Sequence, residues 1–224
     1  MNDTDFAAQL NEFRSALEAN AQTYGLSLNA ESLAGLLKYY ELLSAWNARL
    51  HLVAPTSPRD FATRHILESL VLLPHLPPGA AVADIGSGAG LPIIPCLIVR
   101  PDLHAVLIEA SPKKAVFLSE ALREVLEQTV SSGKLTRATV VAKRFEDIAA
   151  PAVDFITCRA LERFEETVPK LIEWAPKNST LLLFGGEGLQ ERIEASGLAV
   201  SASLIPNSQR RFLFLVRKTR EVSS

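Results

Sequence analysis

Residues 82–90 read V-A-D-I-G-S-G-A-G, an apolar run that reaches Asp84 and then passes into three glycines at every second position, Gly86, Gly88 and Gly90. Glycine has no Cβ, so it takes positive φ at little cost and lets a ligand touch the backbone. A strand that ends in such a loop, ahead of a helix, makes a floor for a nucleoside-bearing cofactor. The spacing narrows the choice. A dinucleotide fingerprint, G-x-G-x-x-G, requires glycine at position 91, where this chain has Leu91. A nicotinamide-dependent dehydrogenase is disfavoured on that residue.

An acidic residue two places before the first glycine, followed by G-x-G-x-G, resembles the S-adenosylmethionine loop of class I methyltransferases. The competing reading is a glycine-rich turn in another α/β domain. Residues 104–109, H-A-V-L-I-E, read as a short buried strand ending in Glu109, about twenty residues beyond the loop. A carboxylate there can accept from both hydroxyls of a ribose, because its two oxygens match a vicinal diol. The alternative for Glu109 is a solvated strand-end charge. Asp84, Gly86, Gly88, Gly90 and Glu109 are therefore the first candidate cofactor residues.

At 224 residues, the chain suits one domain, or one domain with an appended segment. Its 48% hydrophobic and 21% charged content permits a full core. No apolar run is long enough to span a bilayer, and the polar N-terminus lacks a secretion signal, so a cytoplasmic protein without membrane contact is expected. Cys96 and Cys158 have no partner spacing for zinc, and no metal is expected. The net charge of −2 argues against a non-specific nucleic-acid binder. It leaves room for RNA recognition through a local positive patch.

Helical spacing of Phe6, Leu10, Phe13 and Leu17 predicts a helix over 3–20. Asn29 is a plausible N-cap for a second, to about Trp46. Ser57 with Pro58 opens a third, to about Leu73. Prolines 74, 77 and 78 then mark a linker. Residues 1–79 are read as a helical cap packed on a main domain of residues 80–224. Strands are predicted over 81–85, 105–109, 138–142, 153–158 and 179–184, alternating with helices over 92–99, 112–130, 162–174 and 187–195. Strands over 198–205 and 211–216 form a closing antiparallel pair. Such alternation implies a mostly parallel, Rossmann-like sheet of seven strands, covered on both faces.

Several segments together resemble one family: Trp46-Asn47, R-H-I-L-E-S-L from Arg64, D-I-G-S-G-A-G-L-P from Asp84, K-K-A-V-F-L from Lys113, Arg144-Phe145-Glu146 and Cys158-Arg159-Ala160. In this order they are similar to the bacterial 16S ribosomal RNA guanine-N7 methyltransferases, also called glucose-inhibited division protein B. The resemblance covers about residues 30–218. It implies a class I S-adenosylmethionine-dependent fold with an N-terminal helical extension. It also implies methyl transfer to N7 of one guanine in 16S rRNA, on the RNA or the small ribosomal subunit; a monomer is expected.

Carried over, cofactor contacts come from Gly86 and Leu91, from Phe145 and Glu146, and from Arg159. Glu146 can meet the adenine amino group, and Phe145 can face the adenine ring or simply pack in the core. Arg159, a flat five-donor cation, can bind the methionine carboxylate or an RNA phosphate, or stack on the guanine. Its bland alternative is a salt bridge to Asp154 or Glu162. Guanine N7 carries a lone pair and no proton, so the reaction needs alignment rather than a general base. Arg159 is then the catalytic candidate as a positioning group, and His65 is structural or RNA-positioning. Arg64, Lys113, Lys114, Arg210 and Arg211 are candidate RNA contacts, joined by Arg217, Lys218 and Arg220. Solvated charges are the alternative for each.

Four positions depart from the family pattern. His51 stands where asparagine is usual, Glu68 replaces aspartate, Ile93 replaces glycine, and Gly185-Gly186 replaces Lys-Gly. Ile93 threatens to crowd the cofactor, and Gly185 removes a cation. The alternatives to an rRNA guanine-N7 enzyme are a methyltransferase for another RNA or a small molecule, and a non-catalytic ribosome-assembly module.

Overall fold

The computed structural model describes residues 3–126, 137–159 and 164–217. Helices α1 (Asp3–Asn20) and α2 (Ala30–Leu50) come first. Helix α3 covers residues 58–70, with α turns at Pro58–Asp60 and Glu68–Leu70 around a π-helical stretch, Phe61–Leu67. Strands β1 (Ala81–Ile85), β2 (His104–Ile108), β3 (Ala138–Val141), β4 (Phe155–Arg159) and β5 (Thr180–Gly185) then alternate with α4 (Ile93–Val99), α5 (Pro112–Leu126), α6 (Phe164–Trp174) and α7 (Glu187–Ala195). Strands β6 (Ala199–Leu204) and β7 (Phe212–Arg217) close the chain.

The seven strands form one sheet in the order β3-β2-β1-β4-β5-β7-β6. The first five are parallel, and β7 runs antiparallel between β5 and β6. The chain leaves β1 toward β2 on one side and returns as β4 on the other. The crevice beyond the carboxyl ends of β1 and β4 is thus the switch point where such sheets bind ligands.

Both predicted caps form. The Asn29 side chain accepts from the Ser32 amide at 2.8 Å, and the Ser57 hydroxyl accepts from the Asp60 amide at 3.0 Å. Helix α2 runs one turn past Trp46, because His51 ends it in the left-handed region (φ 48°) and its N–H reaches the Asn47 carbonyl. Asparagine and histidine tolerate that conformation better than most residues, which accounts for the histidine at this departure. Helix α3 stops at Leu70 rather than Leu73, since Pro74 has no N–H to donate to the Leu70 carbonyl. The Leu73–His75 turn is 3-10. The predicted extension of α5 to Val130 and the start of α6 at Glu162 lie outside the described residues, as do Ala160, Lys218 and Arg220.

One core lies between the sheet and the N-terminal helices, joining Phe13, Leu36, Tyr39 and Phe61 to Val82, Leu107, Phe117 and Leu182. Phe13 stacks on Tyr40 at 4.3 Å, and Trp46 meets Phe117 edge-on at 5.8 Å. A second core, including Ala83, Ile85, Ile156, Leu181 and Phe214, fills the other face. Alternation along β1 and β5 sends successive side chains to opposite cores. The N-terminal helices therefore share a continuous interior with the sheet.

Candidate active site

Four strand ends converge on a cleft of about 550 Å³, within the usual 300–1,000 Å³ of small-molecule sites. Its floor is the loop after β1, and its walls carry Leu91, Glu109, Lys114, Phe145, Glu146 and Arg159. The loop hangs on β2: the amides of Gly86 and Ser87 both donate to the Ile108 carbonyl, at 2.8 and 3.2 Å. Gly86, Gly88 and Gly90 have φ of 67°, 53° and 84°, all in the left-handed region that favours glycine.

Glu109 braces this turn. Its Oε2 accepts from the Gly88 amide and its Oε1 from the Ser111 amide, each at 2.8 Å. A carboxylate offers about four lone-pair sites, so each oxygen keeps one for a ligand. Sequence reasoning placed Glu109 at a ribose; the structure adds that the same group shapes the loop. A Cβ on Gly88 would meet only the Gly86 carbonyl oxygen, at 3.6 Å, so its free side faces open space. An open glycine turn, a cleft-lining carboxylate with spare lone pairs and an apolar wall at Phe145 fit a nucleoside-bearing donor.

Two candidates do not reach the cleft wall. Asp84 shares a face of β1 with Val82, and that face is covered by the N-terminal helices. Its carboxylate is fully buried with no hydrogen-bond partner among the described residues. Gly90 turns toward the helices, where a Cβ would lie 2.3 Å from Ile94 Cδ1. Both shape the loop from behind.

Burial pushes the Asp84 carboxyl up to about 8 from 3.8, with Glu109 adding repulsion. Because the folded value lies above the unfolded one, the native state favours the protonated acid. The Asp84 contribution to stability is expected to fall as pH rises from about 4 to about 8 and to level off beyond. His65, with its pKa lowered from 6.5 to about 4, contributes in the opposite sense below about 6.5, so the difference between wild type and Asp84→Asn isolates the carboxyl. Urea titrations of both proteins over this range provide the check, and a wild-type-minus-variant difference flat in pH would contradict it.

The structure moves several predicted cations into a clasp. Arg159 Nη1 donates to the His65 carbonyl and the Ser69 hydroxyl, both at 3.2 Å, and Nη2 to the Arg64 carbonyl at 2.6 Å. Its ion-pair partner is Glu68 at 3.4 Å rather than Asp154; Glu162 lies outside the described residues. Glu68 also takes Arg211 at 2.6 Å, and its side chain is only 2% exposed. Arg211 is thus tied to Glu68 instead of standing free on the surface. The Arg64 and His65 carbonyls that Arg159 takes both lie in the π-helical stretch.

His65 lines the cleft and leans on Phe61, ring centroids 5.1 Å apart. Burial first, then Arg159, Arg64 and Arg211, lower its pKa to about 4. Lys114 lines the cleft, whereas Lys113 and Arg210 are exposed and do not. Phe145 is 5% exposed and packs edge-on against Trp174, so it serves the second core and the cleft wall together. Ile93 is fully buried and off the cleft wall; it fills a helix face rather than crowding the site. Gly185 lies against Leu189, and a Cβ there would come within 2.6 Å of it.

Sequence reasoning missed three contributions. Tyr39, fully buried on α2, donates to the Ala89 carbonyl at 2.5 Å and so braces the glycine loop. Asn47 exchanges two hydrogen bonds with Val53, which pins Leu52, Val53 and Ala54 as a wall of the cleft. Glu68 anchors both arginines. Asn47 and Glu68 both stood in the motifs named above, which revealed neither a wall nor an anchor; nothing in the sequence singled out Tyr39.

This sheet, with its ligand crevice and glycine loop, defines a class I S-adenosylmethionine-dependent methyltransferase. A family model described as rRNA small subunit methyltransferase G matches residues 32–221, and the chain belongs to that family. It is 42% identical over 163 residues to ribosomal RNA small subunit methyltransferase G of Xanthomonas axonopodis pv. citri (strain 306), covering 72% of this chain and 70% of the relative. It is 35% identical over 205 residues to the protein of that name from Methylobacillus flagellatus, covering 89% and 96%. Among solved structures it is similar to P. horikoshii TYW2 in complex with MeSAdo, with a TM-score of 0.53, 19% identity, and coverage of 69% of this chain and 63% of that one.

Proposed function

We propose that this protein transfers the methyl group of S-adenosylmethionine to N7 of a guanine in 16S ribosomal RNA. The carrying observation is the glycine loop braced by Glu109 at the open end of a switch-point cleft. When bound, S-adenosylmethionine supplies an electrophilic methyl on a sulfonium. Gly86, Gly88 and Leu91 offer backbone and apolar contact, Glu109 accepts from ribose hydroxyls, and Phe145 and Glu146 meet the adenine. Arg159 holds the edge of the helical cap against the strand ends and presents positive charge to the cleft.

Guanine N7 attacks through an in-plane lone pair, and no proton has to leave it. The chain's task is alignment, worth roughly 7–11 kcal/mol when reacting atoms are held near contact distance. His65 is neutral at physiological pH because its pKa is lowered to about 4, and this chemistry asks no base of it. His65→Gln should therefore cost less than Arg159→Ala in single-turnover rate. The reverse order would assign the imidazole a chemical role.

In this reading residues 1–79 form a cap that acts as one body with the sheet, and a single chain in the cytoplasm completes the site. The deciding experiment compares methyl transfer to small ribosomal subunits, free 16S rRNA and free nucleosides, with the modified base mapped. Modification of nucleosides alone would move the protein to small-molecule chemistry. Failure of S-adenosylmethionine to raise the melting temperature would favour a non-catalytic module.

A further inference from the structure

A second cavity, of about 310 Å³, opens beside α3 and is lined by Tyr24, Asp60, Thr63, Arg64, Asn207 and Arg211. None of these residues lines the cofactor cleft, although their neighbour His65 does. Two arginines on the cavity wall keep unused donors. The Arg64 side chain is exposed and makes no hydrogen bond or ion pair among the described residues. Its backbone is nonetheless held, since its carbonyl accepts from Arg159. Arg211 spends Nε and Nη2 on one oxygen of Glu68 and leaves Nη1 without a partner there.

The Arg211 guanidinium and the Arg64 backbone are thus placed before any ligand arrives, which lowers the ordering cost of binding. Glu68 is consumed by Arg211 and Arg159, so Asp60 is the one carboxylate on the cavity wall among the described residues. Burial is the main cause of the depressed His65 pKa, and Arg159, Arg64 and Arg211 add to it against the opposing charge of Asp60. The Tyr24 hydroxyl and the Asn207 amide complete a polar rim.

We infer that this cavity takes a backbone phosphate of the RNA substrate, flanking the nucleotide in the cleft, with Arg64 and Arg211 as its two cationic walls. Forked guanidinium donors match phosphate oxygens. A phosphate contact positions a strand without reading its sequence. The site lies beyond the clasp from the cofactor, so strand and donor meet opposite ends of Arg159–Glu68–Arg211. The assignment rests on the RNA reading above.

The test measures equilibrium binding of 16S rRNA to the full-length protein over a potassium chloride series. Arg64→Ala should weaken binding about tenfold and reduce the salt slope by about one. Arg64→Lys should keep the slope, because the charge remains. Asp60→Asn should tighten binding about threefold by removing the opposing charge, an effect that misfolding cannot imitate. S-adenosylhomocysteine affinity by calorimetry should stay at wild type in all three. Wild-type RNA affinity and slope in Arg64→Ala, or no tightening in Asp60→Asn, would overturn the assignment. Stabilisation by inorganic phosphate or guanosine monophosphate through Arg64, without competition against RNA, would make this a free-nucleotide site and also overturn it. If the wild type binds RNA through Arg64 but methylates none, the proposed reaction falls and the phosphate site stands. If it methylates RNA while Arg64→Ala is unchanged, the site falls and the reaction stands.

Discussion

Replacing Glu68 with alanine is expected to destabilise the protein by about 3 kcal/mol, among the largest losses available from one side chain. Breaking a buried ion pair from one side costs roughly 3–5 kcal/mol, since the partner charge stays behind without compensation. Arg159, with its side chain 17% exposed, would suffer that fate, while Arg211 at 39% can turn to water, which places the loss at the lower end. Glu68→Gln should cost less, because the amide oxygen still accepts. In a double-mutant cycle with Arg159→Met the pair should couple, on the order of 0.5–3 kcal/mol. Urea denaturation reads the result directly. A loss below about 1 kcal/mol for the alanine variant would mean that the clasp is a solvated pair of the weak surface kind.

The second large effect concerns Gly88. Valine there should remove S-adenosylhomocysteine binding, with an affinity loss on the order of a hundredfold or more, while the protein still folds. A branched side chain at φ 53° carries roughly 1–3 kcal/mol of strain. The loop can relieve it only by rotating the amide away from Glu109. The new side chain would also occupy the side of the turn that a ligand must approach. Since a Cβ at Gly88 meets nothing closer than 3.6 Å, the interior is untouched and the melting transition should remain cooperative. Gly90→Val is the contrast. Its Cβ would lie 2.3 Å from Ile94 and 3.3 Å from Leu118, so that variant should lose stability before binding can be assessed. Calorimetric titration with thermal melts separates the two. Intact affinity in Gly88→Val would show that the donor does not lie on this loop.

The glycine loop, the strand after it and the order of helices and strands were legible because each is a local signal. Positive φ demands glycine, a buried parallel strand demands an apolar run, and capping residues sit next to the helices they start. The same locality explains the errors of detail. Arg159 was read as a ligand contact with a surface ion pair as its alternative. Its actual partner, Glu68, lies 91 positions earlier in the chain, and no local pattern points there. Nothing in the sequence of α2 singles out Tyr39. Only its place under Ala89, 50 positions away, makes it a support for the loop. Asp84 was expected to face the cofactor as part of the motif. Period-two alternation on β1 turned it instead toward the face that the N-terminal helices cover.

Periodicity, turn chemistry and spacing, all written in neighbouring residues, were enough to specify a parallel sheet with a nucleoside loop at its crevice. Which charges would be spent on holding the helical cap, and which would remain exposed to solvent, depended on partners that come together only when distant segments pack. A guanidinium has the same composition in either role. Its surroundings in three dimensions determine whether it meets a buried carboxylate, as at Glu68, or open solvent, as at Arg64.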